Sequence, residues 1–291
     1  MMNTTEGGTR GPGKLLYLTD DLGGGAGNHL LSLAEHCHGA GWSVEVLSFA
    51  PRTARRRPDL PIRQLPEPAG PSVYPVRQLM RFRQVREIVR DRRPDLVHAY
   101  FFWPVLYCRV LKKTGSIPHL VENREDEGFN WGAHEYAWLR ATRNQPDRIV
   151  CVSRAVERSV RERERAIAGR TTVIHNGIEE PRVVDPEHVA ELRRELGIAT
   201  DAPVVGMVAN LNRGVKGVGR FLEVASIVRG RVPGARFVVV GQTGEGADLE
   251  RRAEEAGLAG AVHFAGYRED VDTFYALFDV SVLTSSTEGL S

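Results

Sequence analysis

Four short stretches of this 291-residue chain set chemically capable residues beside glycine. The first, Thr19-Asp-Asp-Leu-Gly-Gly-Gly-Ala-Gly27, follows the apolar run Lys14 to Leu18 and precedes Leu30, Leu31, Leu33, Ala34 and Cys37 at helical spacing. A strand, a glycine loop and a helix in that order let the backbone turn sharply around a ligand and aim free helix amides at an anion. The same glycines also suit a plain tight turn. Their spacing is not Gly-x-Gly-x-x-Gly, so the dinucleotide fingerprint is absent. The second stretch is Lys216-Gly217, which opens a helix, and the third is Gly241-Gln-Thr-Gly-Glu-Gly246, which ends a strand. In the fourth, Thr284-Ser-Ser-Thr-Glu-Gly-Leu-Ser291, an apolar run that reads as a buried strand delivers the carboxylate of Glu288 into a glycine-bearing loop.

The elements needed to hold these stretches follow from apolar periodicity. Lys14 to Leu18, Val44 to Phe49, Asp95 to Ala99, His119 to Glu122, Arg148 to Val152 and Thr172 to Ile174 read as six strands. Helices alternate with them, one capped by Ser153 and running to about Ile167. That alternation predicts a doubly wound, largely parallel sheet. A polar connection over 179–203 carries a short helix, Pro186 to Leu196, and then the pattern restarts. Pro203 to Ala209, Phe237 to Val240, Val262 to Phe264 and Val280 to Leu283 give four strands of a second sheet. The expected organisation is a flexible leader over 1–13, an α/β domain over 14–178, the connection, and a partial α/β domain over 204–291.

Composition narrows the classes. At 291 residues, 26% charged and 42% hydrophobic, the chain is long enough for two cores and is neither fibrous nor disordered in character. No run approaches 18 apolar residues, which excludes a membrane-spanning helix from the sequence. Cys37, Cys108 and Cys151 are far apart and lack Cys-x-x-Cys spacing, so neither a disulfide framework nor a zinc site is indicated and a reducing, cytoplasmic home is the simplest expectation. The basic residues cluster at Arg52 to Arg57 and Arg77 to Arg93. The helix expected over Val76 to Arg93 carries seven arginines against one Glu and one Asp. Such a run is either a solvated face or, with Leu79, Met80, Phe82, Val85 and Val89, a peripheral seat on anionic lipid headgroups at the inner face of the membrane. Nucleic-acid binding would have only this helix behind it and is not expected.

Taken in order, Gly23-Gly-Gly25, Val173-Ile-His-Asn-Gly-Ile178, Val205-Gly-Met-Val-Ala-Asn-Leu211, Lys216-Gly217 and Glu288-Gly-Leu290 resemble glycosyltransferase family 4. These are retaining enzymes of the glycosyltransferase-B architecture, in which two Rossmann-like domains face each other across a cleft. The resemblance covers nearly the whole chain. It implies transfer of a sugar from a nucleotide-diphosphate sugar, with the anomeric configuration kept, to a lipid-linked, polysaccharide or small-molecule acceptor. It implies no cofactor and no metal, the diphosphate being held by fixed charge and helix amides.

Residue by residue, the family's phosphate-binding lysine matches Lys216 beside Gly217. Its arginine position is occupied by Asn210, with Arg213 in the same loop as the substitute. Gly241 resembles the turn under the nucleotide, and Gly266, Tyr267 and Arg268 resemble the backbone lining of the base pocket. Glu288 resembles the first glutamate of the family's paired-glutamate motif, which approaches the transferring sugar; the second, a ribose ligand, would fall five residues beyond Ser291. In the first domain Asp126 matches the aspartate of a His-Asp pair, with Glu125 where the histidine would be, and His98 is a further candidate for the cleft. The resemblance thus implies a C-terminally truncated second domain, with exposed apolar surface and open sheet edges. The alternative reading is a non-catalytic remnant that keeps only acceptor or partner binding.

Overall fold

The computed structural model describes residues 12–50, 59–67, 74–128, 131–166, 169–178, 180, 183–211, 214–242 and 246–290. The chain divides into two compact units, one to Ile178 that also takes in 289–291, the other Glu179–Glu288. Most of the expected leader, 1–11, and the Arg52 to Arg57 cluster lie outside the described residues.

The first unit alternates β1 (Lys14–Thr19), α1 (Gly24–Gly39), β2 (Ser43–Ser48), β3 (Ile62–Gln64), α2 (Tyr74–Arg92), β4 (Leu96–Tyr100), α3 (Phe102–Lys113), β5 (Leu120–Arg124), α4 (Ala133–Ala141), β6 (Arg148–Cys151), α5 (Arg154–Ser159) and β7 (Thr171–Val173). Its strands form a sheet in the order β3-β2-β1-β4-β5-β6-β7, parallel at each pairing. Parallel strands are covered on both faces, which is why they read as continuous apolar runs. Leu16 and Leu18 of β1 pack into one core layer, while Leu15 and Tyr17 pack into the layer on the opposite face. The strand order reverses between β1 and β4, and the carboxyl ends of strands at such a point are where doubly wound sheets take ligands.

Seven strands stand here where the sequence suggested six. β3 was hidden because Ile62-Arg-Gln is a three-residue edge strand without apolar alternation. β5 also runs past Glu122 to Arg124, and Arg124 is buried, as are Arg109, Glu122 and Glu164, which form a charged network with it. Ser153 caps α5 as expected, its hydroxyl accepting from the Val156 amide at 3.2 Å. The helix does not continue regularly to Ile167. It passes into a π-helical turn, Val160–Glu164, that ends at Arg165 in the left-handed region, and Ile167 lies outside the described residues.

In α2 the exposed residues Val76, Leu79, Arg83, Arg86 and Arg90 recur at helical spacing and make one stripe, opposite the buried Val85 and Val89. Arg81 departs from the solvated-face reading. It turns inward onto Glu67 at 2.9 Å and lies 4.7 Å above the Phe49 ring.

The second unit runs α6 (Pro186–Glu195), β8 (Val204–Val208), a 3-10 turn (Gly214–Lys216), α7 (Val218–Arg231), β9 (Arg236–Val240), α8 (Gly246–Glu255), β10 (Val262–Gly266), α9 (Val271–Leu277) and β11 (Val280–Ser281). Its sheet has the order β10-β9-β8-β11 and is again parallel. The apolar run before Thr284 is not the buried strand expected from sequence. β11 is two residues long, pairs only with β8 among the described residues, and leaves Val280 53% exposed because it is the sheet edge. The unit's reversal point falls between β8 and β11, so the segments that leave these two strands emerge side by side.

Candidate functional site

Two groups of polar residues stand at strand carboxyl ends, one in each unit. In the second unit the chain leaves β8 through Asn210, which is exposed, and Leu211, and the 3-10 turn Gly214–Lys216 ends in Lys216. Arg213 lies outside the described residues. Gly217 follows with φ +68°, a left-handed cap from which α7 departs, and a Cβ there would stand 2.3 Å from the Thr284 carbonyl. Only glycine meets both demands without strain.

The segment leaving β11 is tied to this turn along its length. The Thr284 hydroxyl donates to the Gly217 carbonyl at 2.8 Å, the Ser286 amide to the Val215 carbonyl at 2.9 Å, and Arg220 to the Thr284 carbonyl at 3.0 Å. These ties bring Glu288 to Lys216. The ammonium sits astride the carboxylate, 2.7 Å from Oε1 and 3.0 Å from Oε2. The α7 N-terminus beside them has no acidic residue in its first turn and no side-chain cap, so its amides are open to an anion.

After β9, Gly241 takes φ +147°, and a Cβ at this position would meet the Ala209 carbonyl at 1.7 Å; its amide donates to the Gly266 carbonyl at 2.8 Å. The turn after β9 is thereby pressed against the chain leaving β8. Tyr267 is 63% exposed. Arg268 spends its guanidinium on Asp270, twice at 2.9 Å, and on Glu195 at 3.1 Å, over the Phe274 ring.

In the first unit α1 begins at Gly24, so Gly24 and Gly25 form its first turn rather than a preceding loop, and Gly23 is its cap without a side-chain partner. Glu125, just past β5, gathers polar groups from three directions. It accepts from Asn176 at 2.9 Å and from Asn123, and His29 Nδ1 lies 3.4 Å from its Oε1. His98 stands in the middle of β4 rather than at its end, and its ring lies between Tyr17 and Tyr100, ring centroids 5.3 and 4.8 Å away. Burial, with a smaller push from His29, lowers the His98 pKa to about 3, so the ring is neutral. Burial, then the Glu125 charge, keeps the Tyr100 phenol protonated. One oxygen of Asp126 accepts from the Gly128 amide at 2.7 Å in a local turn.

Four buried atoms around Glu125 and His98 lack a hydrogen-bond partner: His29 Nδ1, His98 Nε2, Tyr100 Oη and Asn176 Oδ1. Buried polar atoms are seldom left so, and a cluster of them marks a place for a polar ligand or water. Sequence reasoning missed His29, Asn123 and Asn176. A signal was there in part, since Asn176 stands in the Asn-Gly pair beyond β7. It also missed Asp20, directly after β1, whose pKa is pushed up to about 7 by burial, against the pull of Arg81 and with Asp21 adding to it. Among the described residues no group of three His, Cys, Asp or Glu is placed to hold a metal ion.

The family model for Glycosyltransferase Family 4 matches residues 23–182, and that for Glycosyl transferases group 1 matches residues 189–291. EpsD of Bacillus subtilis (strain 168) is 31% identical over 125 residues, which are 42% of this chain and 32% of that protein. The lipopolysaccharide core biosynthesis glycosyltransferase LpsE of Rhizobium meliloti (strain 1021) is 34% identical over 102 residues, 35% of this chain and 28% of that one. The matched segment thus spans about a third or less of these curated relatives. Among solved structures, Anabaena HepE in complex with UDP-glucose superposes with a TM-score of 0.80 at 21% identity, over 94% of this chain and 74% of that one. WaaG, a glycosyltransferase involved in lipopolysaccharide biosynthesis, gives 0.74 at 18% identity, over 94% and 76%. At such identities the likeness is one of fold: two Rossmann-like parallel α/β units, the second the smaller.

Proposed function

The chain belongs to glycosyltransferase family 4, and on that premise we propose that it moves a sugar, with retention of configuration, from a nucleotide-diphosphate sugar to a lipid-linked, polysaccharide or small-molecule acceptor. The observation that carries the proposal is Lys216 at the open N-terminus of α7, braced by the left-handed Gly217, with Glu288 held beside it. A leaving diphosphate gathers negative charge as the bond to the sugar breaks. A fixed ammonium and oriented amides stabilise that charge without reorganising. Arg213 is the second cation in this scheme, Gly241, Asn210 and the backbone of Gly266, Tyr267 and Arg268 receive the nucleotide, and Glu288 accepts hydroxyls of the sugar. HepE, which shares the fold, is seen with UDP and with UDP-glucose. That makes a uridine donor the first to try.

The polar cluster of the first unit completes the scheme. We assign 14–178 to the acceptor side and 204–291 to the donor side. Gly23, Gly24 and Gly25 offer amides, His98 and Glu125 offer unpartnered and acceptor atoms, and Asp126 shapes the loop that carries Glu125. A polyhydroxyl ligand would satisfy the buried atoms left without partners there. Matches on both halves of the chain favour a transferase over a non-catalytic remnant. The scheme needs no cofactor. Its setting is the cytoplasmic side, with the α2 stripe resting on anionic lipid.

Calorimetry with UDP-glucose tests the donor site. Lys216→Ala is expected to weaken binding by about ten-fold or more, the scale of one charge-assisted contact. Unchanged affinity would remove Lys216 from the site and the proposal with it.

A further inference from the structure

The Lys216 to Glu288 contact raises a question that the donor-site reading does not answer. The cation meant for a diphosphate is already neutralised, by the very carboxylate meant for the sugar. Both side chains are about one-fifth exposed, at 20% and 23%, so a ligand can reach either. Their backbones are not free to part. β8 and β11 pair in parallel through Val205 with Val280 and Gly206 with Ser281, and the Thr284, Ser286 and Arg220 bonds fasten the following segment to the turn that carries Lys216. Exchange of partners must therefore occur by side-chain rotation within a fixed frame.

We propose that Glu288 is an exchangeable counter-ion that makes the site discriminate a sugar-bearing donor from its spent nucleoside diphosphate. The idea rests on the donor-site reading. With no donor bound, Glu288 holds the ammonium. An arriving diphosphate takes the ammonium, and the released carboxylate, an acceptor without protons of its own, is compensated by hydroxyls of the attached sugar. Once the sugar has gone, the carboxylate stands uncompensated beside a diphosphate of the same sign. It reclaims Lys216, and the nucleoside diphosphate is released. Glu288 is in this sense a specificity-determining residue that acts through Lys216 as well as on the sugar.

The test is calorimetry on the 291-residue chain with inorganic diphosphate, UDP and UDP-glucose, comparing wild type, Glu288→Gln, Glu288→Ala and Lys216→Ala. Removal of the negative charge in either Glu288 variant is expected to tighten inorganic diphosphate and UDP by about five-fold, the upper range for a partly exposed ion pair. The ratio of UDP to UDP-glucose affinity should shift toward UDP in both. Diphosphate affinity equal to or weaker than wild type in both variants would overturn the inference while leaving the donor site standing. Loss of no diphosphate affinity in Lys216→Ala, or none measurable in the wild type, would instead remove the donor-site reading and this inference together.

Discussion

Arg109 clasps Glu122 with two hydrogen bonds of 2.7 Å, one from Nε and one from Nη2, in the interior of the first unit. Arg124 adds a bond to Glu122 at 3.0 Å and two to Glu164 at 2.9 Å, and all four side chains are 3% exposed or less. Two guanidinium groups and two carboxylates cancel in charge while spanning α3, β5 and the π turn. Arg109→Met leaves Glu122 and Glu164 short of a partner in a dry interior and is expected to cost about 3–5 kcal/mol. Urea unfolding at neutral pH measures it. A loss below 1 kcal/mol would mean that water reaches the network.

Asp20 and His98 should oppose each other in the pH dependence of stability. His98 binds its proton less readily folded than unfolded, so its contribution is present above pH about 6.5 and is lost as pH falls toward its folded value of about 3. Asp20, with its folded pKa raised to about 7, contributes below its ordinary value and loses that contribution as pH rises through 7. Between pH 4.5 and 6.5 each alone gives a slope of about 1.4 kcal/mol per pH unit, of opposite sign. Asp20→Asn should therefore gain stability with rising pH in that window, and His98→Gln should lose it. Unfolding midpoints at three pH values suffice, and slopes of the same sign in both variants would refute the assignment.

Gly217→Ala places a methyl group against the Thr284 carbonyl and forces a side chain into the left-handed region. A cost of about 1–3 kcal/mol is expected. The damage should extend to ligand binding, because the same contact aligns the Glu288 segment. Weaker UDP-glucose binding together with a lower unfolding midpoint is the expected pair of results; a lower midpoint with unaltered binding would show that the alignment is not needed.

The exposed α2 stripe predicts retention on anionic vesicles. Flotation with phosphatidylglycerol-rich liposomes should recover the protein at low salt and lose it at high salt, as screening shortens the reach of Arg83, Arg86 and Arg90. Reversing those three charges to Glu should abolish recovery. Equal flotation with neutral liposomes would point to Val76 and Leu79 alone.

Much of this architecture could be read directly from the residues, for a physical reason. Strands of a parallel sheet are buried on both faces, so Leu15 to Leu18 and Phe237 to Val240 announce themselves as unbroken apolar runs. β3 did not, since an edge strand needs no apolar face. Arg124 looked like loop because its burial depends on Glu164, forty residues further on. The site divides in the same way. Lys216, Gly217 and Glu288 are legible from local motifs, yet the contact between Lys216 and Glu288 spans 72 residues and exists only because β11 returns beside β8. His29 and Asn176 stayed hidden because isolated polar residues acquire meaning only when folding leaves their atoms buried beside one another.

The π turn at Val160–Glu164 carries one residue more than a regular helical turn would. Each residue advances an α-helix by about 100°, so the extra one resets the facing of everything after Ser159. Glu164 owes its inward position to that offset. Deleting one residue among 160–163 would restore a regular helix and, in doing so, swing Glu164 out of reach of Arg109 and Arg124. Exposed positions such as Arg161 and Glu162 are open to substitution. The number of residues between the Ser153 cap and Glu164 is not open to change, so in this segment spacing is conserved by physics where identity need not be.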